Sequence, residues 1–288
     1  VMDEQYMRQA LEIAQYAIGR TSPNPMVGAV IVLNGRVVGQ GWHRKAGTPH
    51  AEINALQQAG EFARNATMYV TLEPCSHHGR TGPCADAVIA AGIKKVVVAM
   101  NDPNPLVAGQ GIKKLREAGI EVVEGVLALE AAKLNEKFIK WISTQMPFVA
   151  LKAAMSLDGK IAAHTGHSKW ITGPTSRERV QQLRDCYDAI LVGIGTVLAD
   201  NPSLTTRLPY EGKNPIRIII DSMSRTPVDS HVIIDGLAPT IIIVTPNAPK
   251  ERVDALRTGG AEILTIESKQ GAVDLRQTFK ALAKREIT

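Results

Sequence analysis

The chain has 288 residues, 44% of them hydrophobic and 21% charged, with a formal net charge of +5, which suits two globular domains of roughly 100 to 150 residues each. No run reaches the roughly 18 apolar residues of a membrane span, and the charged opening Met2-Asp3-Glu4-Gln5 has no apolar leader, so a cytoplasmic protein with no membrane partner is expected. The mild positive charge suits phosphorylated ligands, whereas 4% aromatic residues are few for stacking unpaired bases, which favours a small molecule over nucleic acid.

Residues 3–19 carry Tyr6, Ala10, Ile13, Ala14 and Ala17 at helical spacing and close on Gly19, the pattern of an amphipathic helix. Thr21-Ser22-Pro23-Asn24-Pro25 is a proline-fixed loop before a strand at 28–33, and Asn34-Gly35 turns the chain back through Arg36 to His43 as a hairpin. Thr48-Pro49 starts a helix at 50–59 with His50 and Glu52 on its first turn. A strand at 67–72 delivers Cys75 just past its end, and Pro83 precedes a helix from Cys84. A strand at 94–100, a turn-rich Asn101-Asp102-Pro103-Asn104-Pro105, a helix at 109–118, a strand at 120–123 and a helix at 129–142 complete a first domain over 1–146, read as a three-layer α/β/α unit.

Met146-Pro147 marks the boundary to a second domain over 147–288. Phe148 to Ala154 reads as a strand, followed by a loop rich in Asp, Gly and Ser at 155–174, a helix at 175–187 and a strand at 189–192. Gly193-Ile194-Gly195-Thr196 is a glycine turn or a phosphate approach, since Gly-x-Gly alone does not decide. Strands at 216–220, 240–244 and 261–266, with helices at 250–258 and from 274, predict a parallel α/β sheet with crossover helices. Cys186, the third cysteine, reads as a small core residue in a reducing compartment.

His50, Cys75 and Cys84 supply three ligands of the kind a catalytic zinc ion takes while keeping its fourth position open. Glu52, two residues beyond His50, is placed to reach that position and move protons. The order His-x-Glu, Pro-Cys, Cys is that of zinc deaminases. Helix starts at His50 and Cys84 favour anions, so they support the thiolate a metal needs. Competing readings are a disulfide, apolar filler, or a structural zinc with His77 or His78 as fourth ligand; none of these has a use for Glu52.

Thr21 to Gly28, His50-Ala51-Glu52, Pro74 to Cys84, Leu157-Asp158-Gly159-Lys160, Trp170-Ile171-Thr172 and Thr196 to Thr205 together resemble the bifunctional deaminase-reductase family of riboflavin biosynthesis. The segment Ser76-His77-His78-Gly79-Arg80 between the cysteines separates the chain from deaminases of transfer RNA. The resemblance implies a cytidine deaminase-like domain followed by a dihydrofolate reductase-like domain. The first would remove the exocyclic amine of a diaminopyrimidinone bearing a ribosylamino phosphate, and the second would use NADPH to reduce ribosyl to ribityl. It implies one Zn2+ on His50, Cys75 and Cys84, with Glu52 as proton shuttle. Deaminase substrate contacts would fall on Asn24, His43, His77 and Arg80. NADPH would lie against Ala154, Trp170, Thr196, Asp200 and Ser222, and the phosphorylated sugar against Lys152, Ser168, Arg184, Leu204 and Arg207.

Family reductase domains run on past the point matched by Thr288 into further strands and a glycine-rich turn, so deamination is expected to survive in this chain and reduction to be impaired if the given sequence is the whole molecule. A zinc deaminase of nucleic acid with a non-catalytic second domain, or a zinc-stabilised nucleotide-binding regulator, are the alternatives. The split into two small domains of modest charge allows a homo-oligomer, a dimer or higher.

Overall fold

The computed structural model describes residues 2–76, 82–104 and 107–288. The chain forms two compact units, Val1–Phe148 with Thr288, and Val149–Ile287.

In the first unit, helix α1 (Met2–Ala14) precedes strands β1 (Gly28–Leu33) and β2 (Arg36–Trp42), helix α2 (Ala51–Ala59), strand β3 (Thr67–Val70), helix α3 (Cys84–Ala90), strand β4 (Lys95–Val98), helix α4 (Gln110–Glu117), strand β5 (Glu121–Glu124) and helices α5 (Ala128–Leu134) and α6 (Glu136–Thr144). The sheet order is β2-β1-β3-β4-β5. β1 runs antiparallel to β2 and β3, while β3, β4 and β5 are parallel. Because side chains alternate along a strand, Ile31, Met68, Val70, Val96 and Val98 pack with Ala51, Ala55, Val88 and Leu115 on one face. Val30, Val32, Tyr69 and Val97 pack with Met7, Ala10, Ile13 and Ala131 on the other. Three layers result, as the alternation of elements predicts.

Two local features set where the functional residues stand. A Cβ at Gly41 would lie 2.5 Å from the Ala55 amide nitrogen and 2.6 Å from the Ala51 carbonyl oxygen, and one at Gly39 would lie 2.4 Å from the Ala55 carbonyl oxygen. Glycines in β2 facing Ala51, Ala55 and Ala59 therefore let α2 lie against the strand at backbone distance, which fixes the height of the His50-to-Glu52 turn. The helix expected at 129–142 is broken into α5 and α6 at Asn135. This buried side chain accepts a hydrogen bond from the Met26 amide at 2.8 Å and donates to the Met26 carbonyl at 2.9 Å, so it pins the proline loop that carries Asn24.

The second unit contains helix α7 (Pro174–Cys186), strand β6 (Ala189–Gly193), helix α8 (Ile194–Asp200), strand β7 (Ile216–Ile220), helix α9 (His231–Ile234), strand β8 (Thr240–Val244), helix α10 (Lys250–Thr258), strand β9 (Glu262–Thr265), the hairpin β10 (Ser268–Lys269) and β11 (Ala272–Val273), and helix α11 (Leu275–Ala283). Strands β6-β7-β8-β9 are all parallel. Isoleucines on alternate sides of β7 and β8 face α8, α9 and α10 on one side, and α11 with β11 on the other. Gly193-Ile194-Gly195-Thr196, read from the sequence as a glycine turn or a phosphate approach, runs from the last residue of β6 directly into α8.

The strand expected at 148–154 does not form. Phe148-Val149-Ala150-Leu151 has strand-forming composition, but no strand pairs with it among the described residues, and Leu151 is 96% exposed. A lone strand leaves its backbone groups without partners, so propensity by itself does not make one.

Arg217 shows what this unit spends a buried charge on. Its side chain is 1% exposed; Nη1 donates to both Asp235 oxygens at 2.7 and 2.9 Å and to the Ser203 carbonyl at 3.2 Å, and Nη2 to the Ala238 carbonyl at 2.6 Å. Arg217→Met strands the carboxylate and both carbonyls and is expected to cost about 3–5 kcal/mol, read as an earlier urea midpoint for this unit with little change at the other.

Candidate active site

His50, Cys75 and Cys84 bring one ligand atom each to a common point in the first unit, the three atoms lying within 4.8 Å of one another. His50 is the N-cap residue of α2, Cys84 opens α3 behind Pro83, and Cys75 follows the end of β3. The imidazole offers Nδ1, 3.2 Å from Cys84 Sγ and 3.6 Å from Cys75 Sγ. Zinc–nitrogen and zinc–sulfur bonds of about 2.05 and 2.3 Å at a tetrahedral angle put such atoms about 3.6 Å apart. Two soft sulfurs and one imidazole thus fit zinc by donor chemistry and spacing, and the three-ligand set leaves a fourth position to water or substrate.

Without metal, the hydrogen bond from the Cys84 thiol, with further bonds from His50 and the Cys84 amide, pushes Cys75 down to about 4. Cys84 keeps its proton because it donates that bond to Cys75 and because it is buried. The Cys84 amide also donates to Cys75 Sγ at 3.3 Å. The His50 imidazole is shifted up, first by its bond to Cys75. Glu52 is buried beside this group, and burial pushes its carboxyl up to about 7, close to the working pH a proton carrier needs.

Asn24 and His43, from different loops, meet here. Asn24 Nδ2 is 3.1 Å from His43 Nε2, and His43 Nδ1 is 3.2 Å from the Pro49 carbonyl. The carbonyl can only accept, so Nδ1 carries the proton and Nε2 accepts from Asn24. Burial lowers the His43 pKa and keeps this neutral tautomer. The His43 ring meets the His50 ring edge-on at 5.2 Å between centroids. His77 and Arg80, the other two expected substrate contacts, lie outside the described residues.

In the second unit, several of the side chains expected to bind cofactor and substrate fall at two places. Strands β6, β7 and β8 end in the same direction, and the chain leaves them at Ile194, Asp221 and Thr245. Ligands of parallel sheets bind at such carboxyl ends. Ser222 sits there, its carbonyl accepting from Thr245 and its Oγ from the Val273 amide at 3.2 Å. Among the described residues, buried Asp221 Oδ1 and Ser224 Oγ have no hydrogen-bond partner, and a Cβ on Gly195 would meet nothing within 4 Å, so this edge has unused polar capacity and an open approach at Gly195. Thr196 and Asp200 are exposed on α8; Lys169 Nζ is 3.9 Å from Asp200 Oδ1, and the Arg177 guanidinium lies 4.6 Å over the exposed Trp170 ring.

The second place is cationic. Arg184 donates from Nη1 to the Thr205 carbonyl at 2.7 Å, while the Arg207 amide donates to Gln181 Oε1 at 3.0 Å. Burial, and then the nearby charge of Arg207, lower the Arg184 pKa. Leu204, just before Thr205, is buried in the core with Ile194, Val197 and Ile219 and has φ at 56°. Lys152, Ala154 and Ser168 lie in the irregular stretch at 149–173, and no hydrogen bond or ion pair joins them to the arginines among the described residues.

Residues 1–100 match the cytidine and deoxycytidylate deaminase zinc-binding region, and residues 147–288 match the RibD C-terminal domain. The chain is 47% identical over 285 residues to the riboflavin biosynthesis protein RibD of Actinobacillus pleuropneumoniae, covering 99% of this chain and 76% of that protein. The chain belongs to the RibD family. Solved RibD structures agree: that of Acinetobacter baumannii superposes with a TM-score of 0.88 at 44% identity, covering 99% of this chain and 78% of that one. A Thermotoga maritima diaminohydroxyphosphoribosylaminopyrimidine deaminase/5-amino-6-(5-phosphoribosylamino)uracil reductase gives 0.87 at 43%, covering 99% and 79%. As a member of this family, the chain is a bifunctional enzyme of riboflavin biosynthesis, a zinc-dependent deaminase joined to an NADPH-dependent reductase. The fold class expected from the sequence, cytidine deaminase-like then reductase-like α/β, holds. No helix among the described residues is long and apolar enough to cross a membrane.

Sequence reading passed over several residues that shape the surroundings of these candidate sites. Asn135 and Arg177 carry no motif signal. Gly39 and Gly41 facing Ala51, Ala55 and Ala59 are a small-residue pattern that could have announced close packing of α2. Glu73, one residue before Pro74-Cys75, was readable only as a strand-end polar residue.

Proposed function

We propose that the first unit removes the exocyclic amine of the diaminopyrimidinone carrying a ribosylamino phosphate, and that the second reduces the ribosyl group of the product to ribityl. The observation that carries this reading is the convergence of His50, Cys75 and Cys84 on one point beside the buried carboxyl of Glu52. Zinc held by those three residues would supply Lewis-acid activation of water at neutral pH. Glu52 takes the two protons of the attacking water in turn and passes one to the adjacent ring nitrogen and one to the departing amine, which leaves as ammonia while the water oxygen becomes the ring carbonyl. Asn24, its Nδ2 committed to His43, is left with its carbonyl oxygen for substrate, and His43 holds it there as a neutral ring. His77 and Arg80 are assigned to the same substrate from the family motif.

NADPH bound in the second unit would supply hydride for the sugar carbon. The assignment of Ala154, Trp170, Thr196, Asp200 and Ser222 to this cofactor is supported by the strand-end position of Thr196 and Ser222 and the open approach at Gly195. Arg184 and Arg207, two cations near enough for the charge of one to lower the pKa of the other, suit the substrate phosphate, which a guanidinium grips with paired bonds. Lys152, Ser168 and Leu204 complete that proposed substrate set. Arg184→Met is expected to raise the KM of reduction about 10- to 100-fold, the worth of a charge-assisted hydrogen bond, with ammonia release unchanged.

The enzyme works on a small phosphorylated molecule, not on nucleic acid, in the cytoplasm and as a homo-oligomer; sparse aromatic residues and modest charge support this, and sedimentation tests the last. The deciding experiment follows ammonia release and NADPH oxidation in one sample of zinc-quantified protein given the diaminopyrimidinone. Ammonia with NADPH consumption supports both assignments. Zinc-loaded, folded protein that releases no ammonia would overturn the reading of the first unit.

A further inference from the structure

Glu73 is buried, yet it is no part of the ligand set or the proton path. Each of its carboxylate oxygens accepts two backbone amides. Oε2 takes those of Asp102 at 3.1 Å and Gly109 at 2.9 Å, and Oε1 takes those of Gly111 at 2.9 Å and Ile112 at 3.2 Å. Gly111 and Ile112 belong to the first turn of α4, whose N-cap residue, Gly109, has no side chain to offer. Helix starts leave amides without partners and favour an anion, so Glu73 caps α4 from another part of the chain. Its own amide donates to the Met100 carbonyl at 3.0 Å.

The same helix presses on the residue between Glu73 and the ligand. A Cβ built on Gly111 would stand 1.9 Å from the Pro74 carbonyl oxygen and 3.1 Å from its carbon; the α4 backbone is therefore seated against the Pro74–Cys75 peptide. On the far side, the Cys75 carbonyl accepts from the Ala85 amide at 3.1 Å. Cys75 is thus held between a four-amide anchor one residue before its proline and the first turn of α3.

We propose that Glu73 is a positioning residue for the metal centre. Its carboxylate, locked onto the start of α4, sets the Pro74–Cys75 peptide and so the place of Cys75 Sγ relative to His50 and Cys84. This rests on the reading of those three residues as the zinc ligands. The chemistry requires a carboxylate, because glutamine would turn an NH2 group toward two amide donors. Residues that orient metal ligands typically contribute 10- to 100-fold in metal affinity.

The test uses the full chain, stripped of metal, as wild type and as the variants Glu73→Gln, Gly111→Ala and, as control, Gln110→Ala, which lies exposed at the start of α4. Zinc affinity is measured by competition with a chromophoric chelator, tetrahedral thiolate coordination by the absorption bands of the cobalt(II)-loaded protein, and folding of the metal-free protein by circular dichroism. Gln110→Ala should match wild type. Glu73→Gln and Gly111→Ala should fold, bind zinc 10- to 100-fold more weakly and show altered cobalt bands. Wild-type affinity and bands in folded Glu73→Gln and Gly111→Ala overturn the proposal. If Glu73→Gln does not fold without metal, Gly111→Ala decides, since it keeps the Glu73 carboxylate and presses its new methyl group on the Pro74 carbonyl and the Glu73 Cγ: weakened zinc binding in its folded form supports the proposal, and unfolding or unchanged binding overturns it. A wild type that takes up no zinc would sink the ligand assignment itself, a result distinct from equal binding by all variants.

Discussion

Glu52→Gln is expected to keep zinc and lose deamination by about 100- to 10,000-fold, the range over which a positioned acid–base group acts. Glu52 is 3% exposed, on the first turn of α2 two residues after the ligand His50. Glutamine fills the same space and leaves His50, Cys75 and Cys84 where they are, but it cannot accept and release a proton. Reduction of separately supplied deaminated intermediate should not change. Zinc loss in Glu52→Gln would make Glu52 part of the metal set, and retained turnover would remove it from the proton path. The metal-free protein offers a second readout. Burial raises the carboxyl from 4.5 to about 7, so between these values the folded state holds a proton that the unfolded chain has released. The stabilisation is fully present below 4.5 and is lost as pH rises through about 7. Glu52→Gln should abolish this part of the pH dependence.

Cys84→Ser is the second large effect, a loss of zinc affinity on the order of 100- to 1,000-fold, a quarter or so of the free energy of a four-ligand zinc site. The residue is fully buried at the start of α3, and serine is nearly isosteric, so folding should survive. A hydroxyl in that place does not ionise as a thiol does beside a metal. Deamination should fall with zinc occupancy, while NADPH oxidation on the deaminated intermediate persists. In the wild type, the proton that burial and Cys75 keep on Cys84 must leave when metal enters, so zinc affinity should rise with pH. Full zinc retention by Cys84→Ser would show that the ion is held elsewhere.

The chemistry of the first unit was legible in the residues themselves. A metal ligand is defined by atom type, and His50, Glu52, Cys75 and Cys84 advertise theirs through spacing and through the proline and helix starts beside them. Alternating apolar strands and amphipathic helices likewise determined the α/β layers, because burial of one face is a local demand on sequence. Strand pairing is not local. Phe148 to Ala154 has the composition of a strand and forms none, since a ladder needs a neighbour that composition does not supply. Asn135, which breaks an otherwise helical run, does so only because Met26 stands opposite it. Glu73 looked like any polar residue at a strand end until folding brought four amides of a distant loop and helix onto its carboxylate. The sequence by itself singled out the candidate ligands and proton carrier and determined the layered fold; the tertiary structure decided which backbone groups hold Cys75, Asn24 and α2 in place, because those hydrogen bonds and close contacts join residues far apart in the chain.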